Sequence, residues 1–213
     1  MAKEKDIKSI NRKYLIGYMF LNYFLFGWFS NLFVFSLNDL EKLFQKVVSP
    51  VYFIGLLIIP LCLILEAVIS SDLKYKLVFC RFSHPLPGSR AFSLIASKDH
   101  RIDMREVARL FESGIPQDPG KQNSAWYAFY KKHSCKVIVS QTHKAFLLTR
   151  DLATLTMVFA PASLVAHLIW GTPASNIWKH MVILSAILIA TIIACQNYGK
   201  RFVANVIVEE LHS

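Results

Sequence analysis

The chain is short of acidic residues: 14 Asp and Glu face 24 Lys and Arg in 213 residues, a formal net charge of +10. Cysteine is scarce too, and four in a chain of this length exclude a disulfide-dense secreted scaffold. No nucleophile elbow, HExxH helix, Walker loop or Rossmann glycine fingerprint occurs, and Gly88-Ser89-Arg90 is not a lipase-type elbow. The chain is therefore read as non-enzymatic and without a cofactor. A lipid-active enzyme using His84 or His133 is the catalytic alternative. There is no nucleic-acid reader motif, no low-complexity tract and no internal repeat of the kind that builds inverted-repeat transporters.

Apolar residues are abundant. They make up 54% of the sequence and the mean hydropathy is +0.39, which excludes disorder and is high for a soluble domain. A membrane span needs about 20 mostly apolar residues. Four windows qualify: Tyr14 to Leu37, Pro50 to Ser70, Leu152 to Trp170 and Met181 to Tyr198. The first holds ten aromatics from Tyr14 to Phe35 and no charge, and the second only Glu66. The fold class expected is an all-α membrane protein with four transmembrane helices and a small helical cytoplasmic domain between helices 2 and 3. The polar start, Met1 to Lys13, precedes an apolar stretch longer than a signal-peptide core and without a cleavage site, so the first helix is expected to be retained.

Positive residues resist translocation, and their distribution sets the orientation. The amino-terminal tail 1–13, the segment 71–151 and the tail 199–213 together carry 21 Lys and Arg, whereas the connections Asn38 to Ser49 (Lys42, Lys46) and Gly171 to His180 (Lys179) carry 3. Both termini and the central segment are thus expected in the cytoplasm of a bacterial inner-membrane protein. Cys62 and Cys195 then lie in spans and Cys80 and Cys135 in a reducing compartment, so no disulfide is expected. Tyr14, Tyr18, Trp170, Trp178 and Tyr198 fall at the expected interfaces.

In the central segment, Pro85, Pro87 and Gly88 break the helix that leaves the second span. Ser89 to Ala96 reads as a short helix, and Asp103 to Phe111 as another with Asp103 at its amino end. From Asn123 a long helix is expected, with Trp126, Phe129, Tyr130 and His133 at helical spacing, continuing into the third span. A strand at Lys136 to Ser140 is the alternative there.

Four residues, Cys80, His84, His133 and Cys135, are the metal candidates, because two thiolates and two imidazoles can make a tetrahedral zinc site. Their spacing matches no standard module, and no metal is assigned. A second candidate is the basic set Arg81, Arg90, Lys98, His100, Arg101, Arg105 and Arg109, since guanidinium groups bind phosphate oxygens in bidentate geometry. The competing explanation is topology and attraction to anionic lipids, at about 1 kcal/mol per residue. Arg90, Arg101, Arg105, Trp126 and Tyr127 are chosen as the ligand- or partner-binding residues. Glu66, Asp151 and His167 are ionisable groups in or near spans. Ala186, Ala190 and Ala194 form a small-residue ladder suited to close helix packing, and Asn22 and Asn31 could hydrogen-bond across helices.

The run Pro85 to Phe92, then Asp99 with Arg101-Ile102-Asp103, Gln122-Asn123 with Trp126-Tyr127, and Phe146-Leu147-Leu148 with Arg150-Asp151, resembles a pattern in uncharacterised bacterial multipass inner-membrane proteins. The resemblance covers 80–151, and the layout is similar to membrane components of antiviral defence loci. It implies an inner-membrane location and transfers no residue roles. The expected function is a sensor or effector, assembled as a homo-oligomer, whose cytoplasmic domain binds a protein partner or phosphorylated small ligand and alters the membrane helices, opening a pore in one version. The alternative is an anchor, scaffold or transport subunit of a larger complex.

Overall fold

Long apolar runs with few glycines satisfy their backbone polar groups most cheaply within themselves, and helices result. A computed structural model, which describes residues 2–31 and 50–213, contains helices and no strand among those residues. The helices are α1 (Ala2–Phe29), α2 (Pro50–Val68), α3 (Ser71–Phe79), α4 (Met104–Arg109), α5 (Pro119–His133), α6 (Val137–Ile169) and α7 (Ala174–Leu211). Between α3 and α4 run three short, irregular turns: 3-10 at Pro87–Arg90, π at Ala91–Ile95 and 3-10 at Ala96–Lys98.

Local chemistry explains the boundaries. Asp103 caps α4 by accepting from the Arg105 N–H at 2.8 Å, and Asp118 caps α5 by accepting from Lys121 at 2.9 Å, with Pro119 at the first helical position. Two helix ends close by the same device. Arg81 N–H reaches Lys76 O (3.1 Å) and Cys80 N–H reaches Leu77 O (3.4 Å), with Cys80 at φ 50°. At the end of α6, Thr172 reaches His167 O (3.0 Å) and Gly171 reaches Leu168 O (3.3 Å), with Gly171 at φ 64°. Both are Schellman turns, which need a left-handed residue just past the helix.

The chain divides into two compact units, 1–70 with 151–191 and 71–150 with 192–213. Helices α6 and α7 each contribute residues to both. Those two helices are long and apolar enough to cross a membrane, which is compatible with a membrane protein. They contain the fourth window read from the sequence and the third as far as Ile169. The second window is the helix α2, and the first is helical as far as Phe29. The remainder of the first window, from Leu32 to Leu37, and the connection with Lys42 and Lys46 lie outside the described residues.

The first unit buries Met19, Asn22, Phe26, Thr156, Phe159, His167, His180 and Leu184. Large apolar side chains on its helices stay exposed, among them Phe20, Trp28, Leu61, Val165 and Ile189. Asn22 donates to Tyr18 O in its own helix at 2.8 Å, and Asn31 stands at φ 55° just past α1.

In the second unit the core is built on Phe202, Val203, Ala204, Val206 and Ile207 of α7. Phe202 is packed edge-on by Trp126 (5.2 Å) and Tyr130 (5.3 Å) and stacked on His143 (4.6 Å). The segment 199–213, expected as a tail, is thus mostly helix and core, and 1–13 is likewise helical from Ala2. The expected outer connection 171–180 is shorter than read, since α7 starts at Ala174.

The long helix expected from Asn123 into the third span is two helices. Lys136 N–H bonds His133 O at 3.0 Å in a tight turn, and Tyr130 Oη meets His143 Nδ1 at 3.1 Å, tying α5 to α6. Each helix buries its own face, so the helical spacing runs through the break unchanged. The strand alternative at Lys136 to Ser140 is replaced by the first turn of α6, where Ser140 N–H bonds Lys136 O at 2.9 Å.

Gly88 makes the closest approach in this unit. A Cβ there would lie 2.5 Å from Asn123 Oδ1 and 2.7 Å from Trp126 Cε3, and the Trp126 ring is held by its Nε1–H donating to Val203 O at 3.3 Å. Gly88→Ala is expected to cost about 1–3 kcal/mol through overpacking, read as a lower Tm in detergent. Gly17→Ala, in open space on α1, is expected to leave Tm unchanged or raise it.

Candidate functional site

The second unit places a basic cleft between the irregular turns 87–98 and α7. The turns survive because one side chain satisfies the backbone donors that a regular helix would use. Gln122 of α5, 1% exposed, accepts from Phe92 N–H (3.2 Å), Ser93 N–H (3.2 Å) and Ser93 Oγ (3.1 Å), and donates to Gln117 O (3.1 Å). On the opposite wall, Gln196 of α7 donates to Val78 O at 2.9 Å and fixes the end of α3. The Schellman turn at Cys80 then delivers Arg81 to the cleft.

The cleft has two parts. A smaller cavity of about 280 Å³ is lined by Phe79, Arg81, Arg90, Gln196 and Lys200, together with Leu94 and Ile95. A larger one of about 730 Å³ extends along Lys98, Arg101, Ile138, Arg201 and Asn205. They share Leu94, Ile95 and Lys200.

Electrostatics separates the two parts. Among the described residues no carboxylate lines the smaller cavity. The Arg90 Nε is buried and finds no hydrogen-bond acceptor among the described residues; its guanidinium pKa is lowered, first by burial and then by the charge of Arg81. An unsatisfied buried donor is costly, and native proteins rarely keep one without a reason. In the larger cavity Arg101 is already partnered. Its Nε donates to Asp99 Oδ1 (3.0 Å), Nη2 to Asp99 Oδ2 (2.8 Å) and Nη1 to Asn205 Oδ1 (3.0 Å). The hydrogen bond from Arg101 pulls the Asp99 carboxyl down to about 2 against the opposing effect of burial.

The residues chosen from sequence are therefore dispersed. Arg90 lines the smaller cavity and Arg101 the larger. Arg105 is on neither, with its side chain 90% exposed beside Asp103. Trp126 is a core residue, and Tyr127 is exposed under the Lys131 ammonium at 4.9 Å. Gln196, Lys200, Arg201 and Asn205 were missed as site residues. Their i, i+4 spacing, 196 to 200 and 201 to 205, marks one helix surface once α7 is known to continue past Tyr198.

The metal candidates do not converge. Cys80 and Cys135 are exposed, and so is His84. His133 is buried with Nε2 at 2.7 Å from Glu210 Oε2, whose other oxygen accepts from Lys132 at 2.6 Å. Among the described residues no cluster of three or more His, Cys, Asp and Glu could hold a metal ion.

In the first unit His167 Nε2 meets His180 Nδ1 at 2.8 Å, and His167 Nδ1 lies 3.1 Å from both Ser30 Oγ and Thr172 Oγ1. Sequence reading named His167 alone and missed its partner. Glu66 and Asp151 are buried. Ala186 and Ala190 of the small-residue ladder are exposed and Ala194 is half-buried.

Comparison with protein-family models, with curated proteins and with solved structures finds no match. The site rests on its own chemistry. Because Asp99 is depressed in the folded state, its pairing with Arg101 stabilises fully above the ordinary carboxylate value of about 4 and is lost as pH falls through about 2. Carbon NMR of the Asp99 carboxyl is expected to give that low midpoint, and Arg101→Gln to return it toward the ordinary value. An Asp99 midpoint that Arg101→Gln leaves unchanged contradicts the pairing.

Proposed function

We propose that the chain is a bacterial inner-membrane sensor or effector, with four membrane helices and both termini cytoplasmic, whose second unit binds an anionic ligand or partner and alters the membrane helices. The carrying observation is the smaller cavity: cations from three separate segments line it, with no carboxylate in its lining among the described residues. Topology alone does not call for that arrangement, since the positive-inside effect is satisfied by exposed, scattered Lys and Arg.

Further support comes from the chain path. Helix α7 supplies Lys200 and Gln196 to the cavity and residues 174–191 to the first unit, so one continuous helix belongs to both. The apolar side chains exposed on α1, α2, α6 and α7 suit lipid contact. The exposed Ala186 and Ala190 allow a second copy to approach closely, consistent with a homo-oligomer. Anionic lipids are the expected surroundings of the basic cytoplasmic face. The architectural similarity to membrane components of antiviral defence makes an oligomeric pore the effector form to test.

The cysteines provide a topology assay without engineering. A membrane-impermeant maleimide is expected to spare the protein in right-side-out vesicles and to modify the exposed Cys80 and Cys135 in inverted ones, leaving the buried Cys62 and Cys195 unreacted until denaturation. Modification of Cys80 or Cys135 from the outer side overturns the orientation. Native mass spectrometry in nanodiscs is expected to show a symmetric oligomer of this chain. One copy bound to a stoichiometric soluble protein would instead establish the anchor or scaffold alternative.

A further inference from the structure

Several cations of the second unit are paired with carboxylates, and three others gather around one cavity. Lys76 pairs with Asp72, Lys132 with Glu210, Lys136 with Glu209 and Arg101 with Asp99. Arg81, Arg90 and Lys200 come from just past α3, the 3-10 turn and α7, and meet around one cavity of about 280 Å³ whose lining, among the described residues, holds no carboxylate. Bringing like charges together around a partly buried space costs free energy unless an anion is bound there.

The anion can be narrowed by charge and size. A single carboxylate would leave the set strongly positive, whereas a phosphate monoester carries about −1.5 to −2 and three strong acceptor oxygens. A polyanion such as nucleic acid needs a stripe of cations along a surface, and this is a confined pocket. The adjoining cavity of about 730 Å³ is within the usual range for small-molecule sites, and its apolar wall includes Leu94, Ile95, Ile138 and Ala204. Lys200 stands where the two cavities meet.

We infer that the two cavities form one site for a phosphate monoester with an apolar or planar body: Arg81, Arg90 and Lys200 hold the phosphate, and the wall of Leu94, Ile95, Ile138 and Ala204 receives the body. This rests on the reading of the second unit as the ligand-receiving part. It moves the phosphate contacts away from Arg101 and Arg105, which are paired or remote. The buried Arg90 Nε gains its acceptor, and Gln196 stays a positioning residue through its bond to Val78 O.

The test is calorimetry on the full-length chain in phosphatidylcholine nanodiscs, with inorganic phosphate, adenosine monophosphate and adenosine as probes. The monophosphate is expected to bind at least about tenfold more tightly than either phosphate or adenosine alone, as a two-part site requires. Arg90→Gln removes a charge-assisted bond and is expected to weaken phosphate and monophosphate by about 10- to 100-fold. Thr142→Trp, which fills the larger cavity, is expected to weaken the monophosphate and spare inorganic phosphate. Arg105→Gln is expected to change neither. Equal affinities for phosphate and monophosphate, or unchanged binding in Arg90→Gln, overturn the site.

Repeating the titration in nanodiscs containing phosphatidic acid separates the two sources of this chemistry. Competition that disappears in Arg90→Gln assigns the phosphate to a lipid headgroup, and an unaffected affinity assigns it to a soluble ester. Absence of phosphate binding with Cys80 and Cys135 still labelled from the cytoplasmic side, in an intact oligomer, defeats this site alone. Labelling from the outer side defeats the membrane-sensor reading whatever the calorimetry gives.

Discussion

Burial of one short stretch of α7, Phe202 to Ile207, is the constraint on which the second unit depends. Six consecutive buried positions cannot lie on one face of a helix, because its period of 3.6 residues carries them around the whole circumference. The helix must therefore be surrounded. Trp126 and Tyr130 of α5 and His143 and Phe146 of α6 all meet Phe202, and the Trp126 indole also donates to the Val203 carbonyl. Fixing this stretch fixes the rotation of α7. That rotation carries Gln196, Lys200, Arg201 and Asn205 to the cleft.

A second constraint acts from the other wall. The turns at 87–98 change hydrogen-bond pattern from 3-10 to π and back within twelve residues, a geometry that regular backbone bonding does not sustain. Gln122 accepts two of the freed backbone donors and the Ser93 hydroxyl from a nearly solvent-free position, where each bond is stronger than in water and its loss more costly. Gly88 complements it by allowing Trp126 and Asn123 to approach closer than any side chain would permit. Arg90 sits between these two fixtures.

The sequence made the helical class legible because it contains long apolar runs and little that breaks them. The cap at Asp103 was legible, since it is written in one residue with a fixed local preference; the helix expected to run from the second span to Pro85 is instead interrupted after Val68 and ends at Phe79, closed by the left-handed Cys80, which no proline or glycine announces. The end of α5 was hidden. A tight turn at His133 to Lys136 contains neither glycine nor proline, and helical spacing on either side of it remained in phase. The role of α7 beyond Tyr198 was hidden for another reason: GKRFVANVIVEEL mixes charge and apolar residues as an exposed tail could, and only its neighbours reveal that it is enclosed. Trp126 was legible as a large residue at a special place, yet its indole N–H is satisfied inside the core rather than by a ligand. His180 could not be linked to His167, because nothing local to either signals a partner across a turn.

Positive charge near a membrane is ambiguous, since the same residues that orient a chain can bind a ligand. Pairing separates the two roles better than position does. A cation with a carboxylate at hydrogen-bond distance, such as Arg101 with Asp99, is neutralised locally and its geometry is determined within the protein. An exposed one, such as Arg105, is neutralised by water and counterions at no structural cost. Arg90 has neither remedy at its Nε, because burial removes water and no acceptor among the described residues replaces it. Topology would account for the number of cations in this segment, but it supplies no reason to bury a donor beside a second guanidinium. An anion whose charge and size fit the small cavity would supply that reason, which is why the inferred site is centred on Arg90.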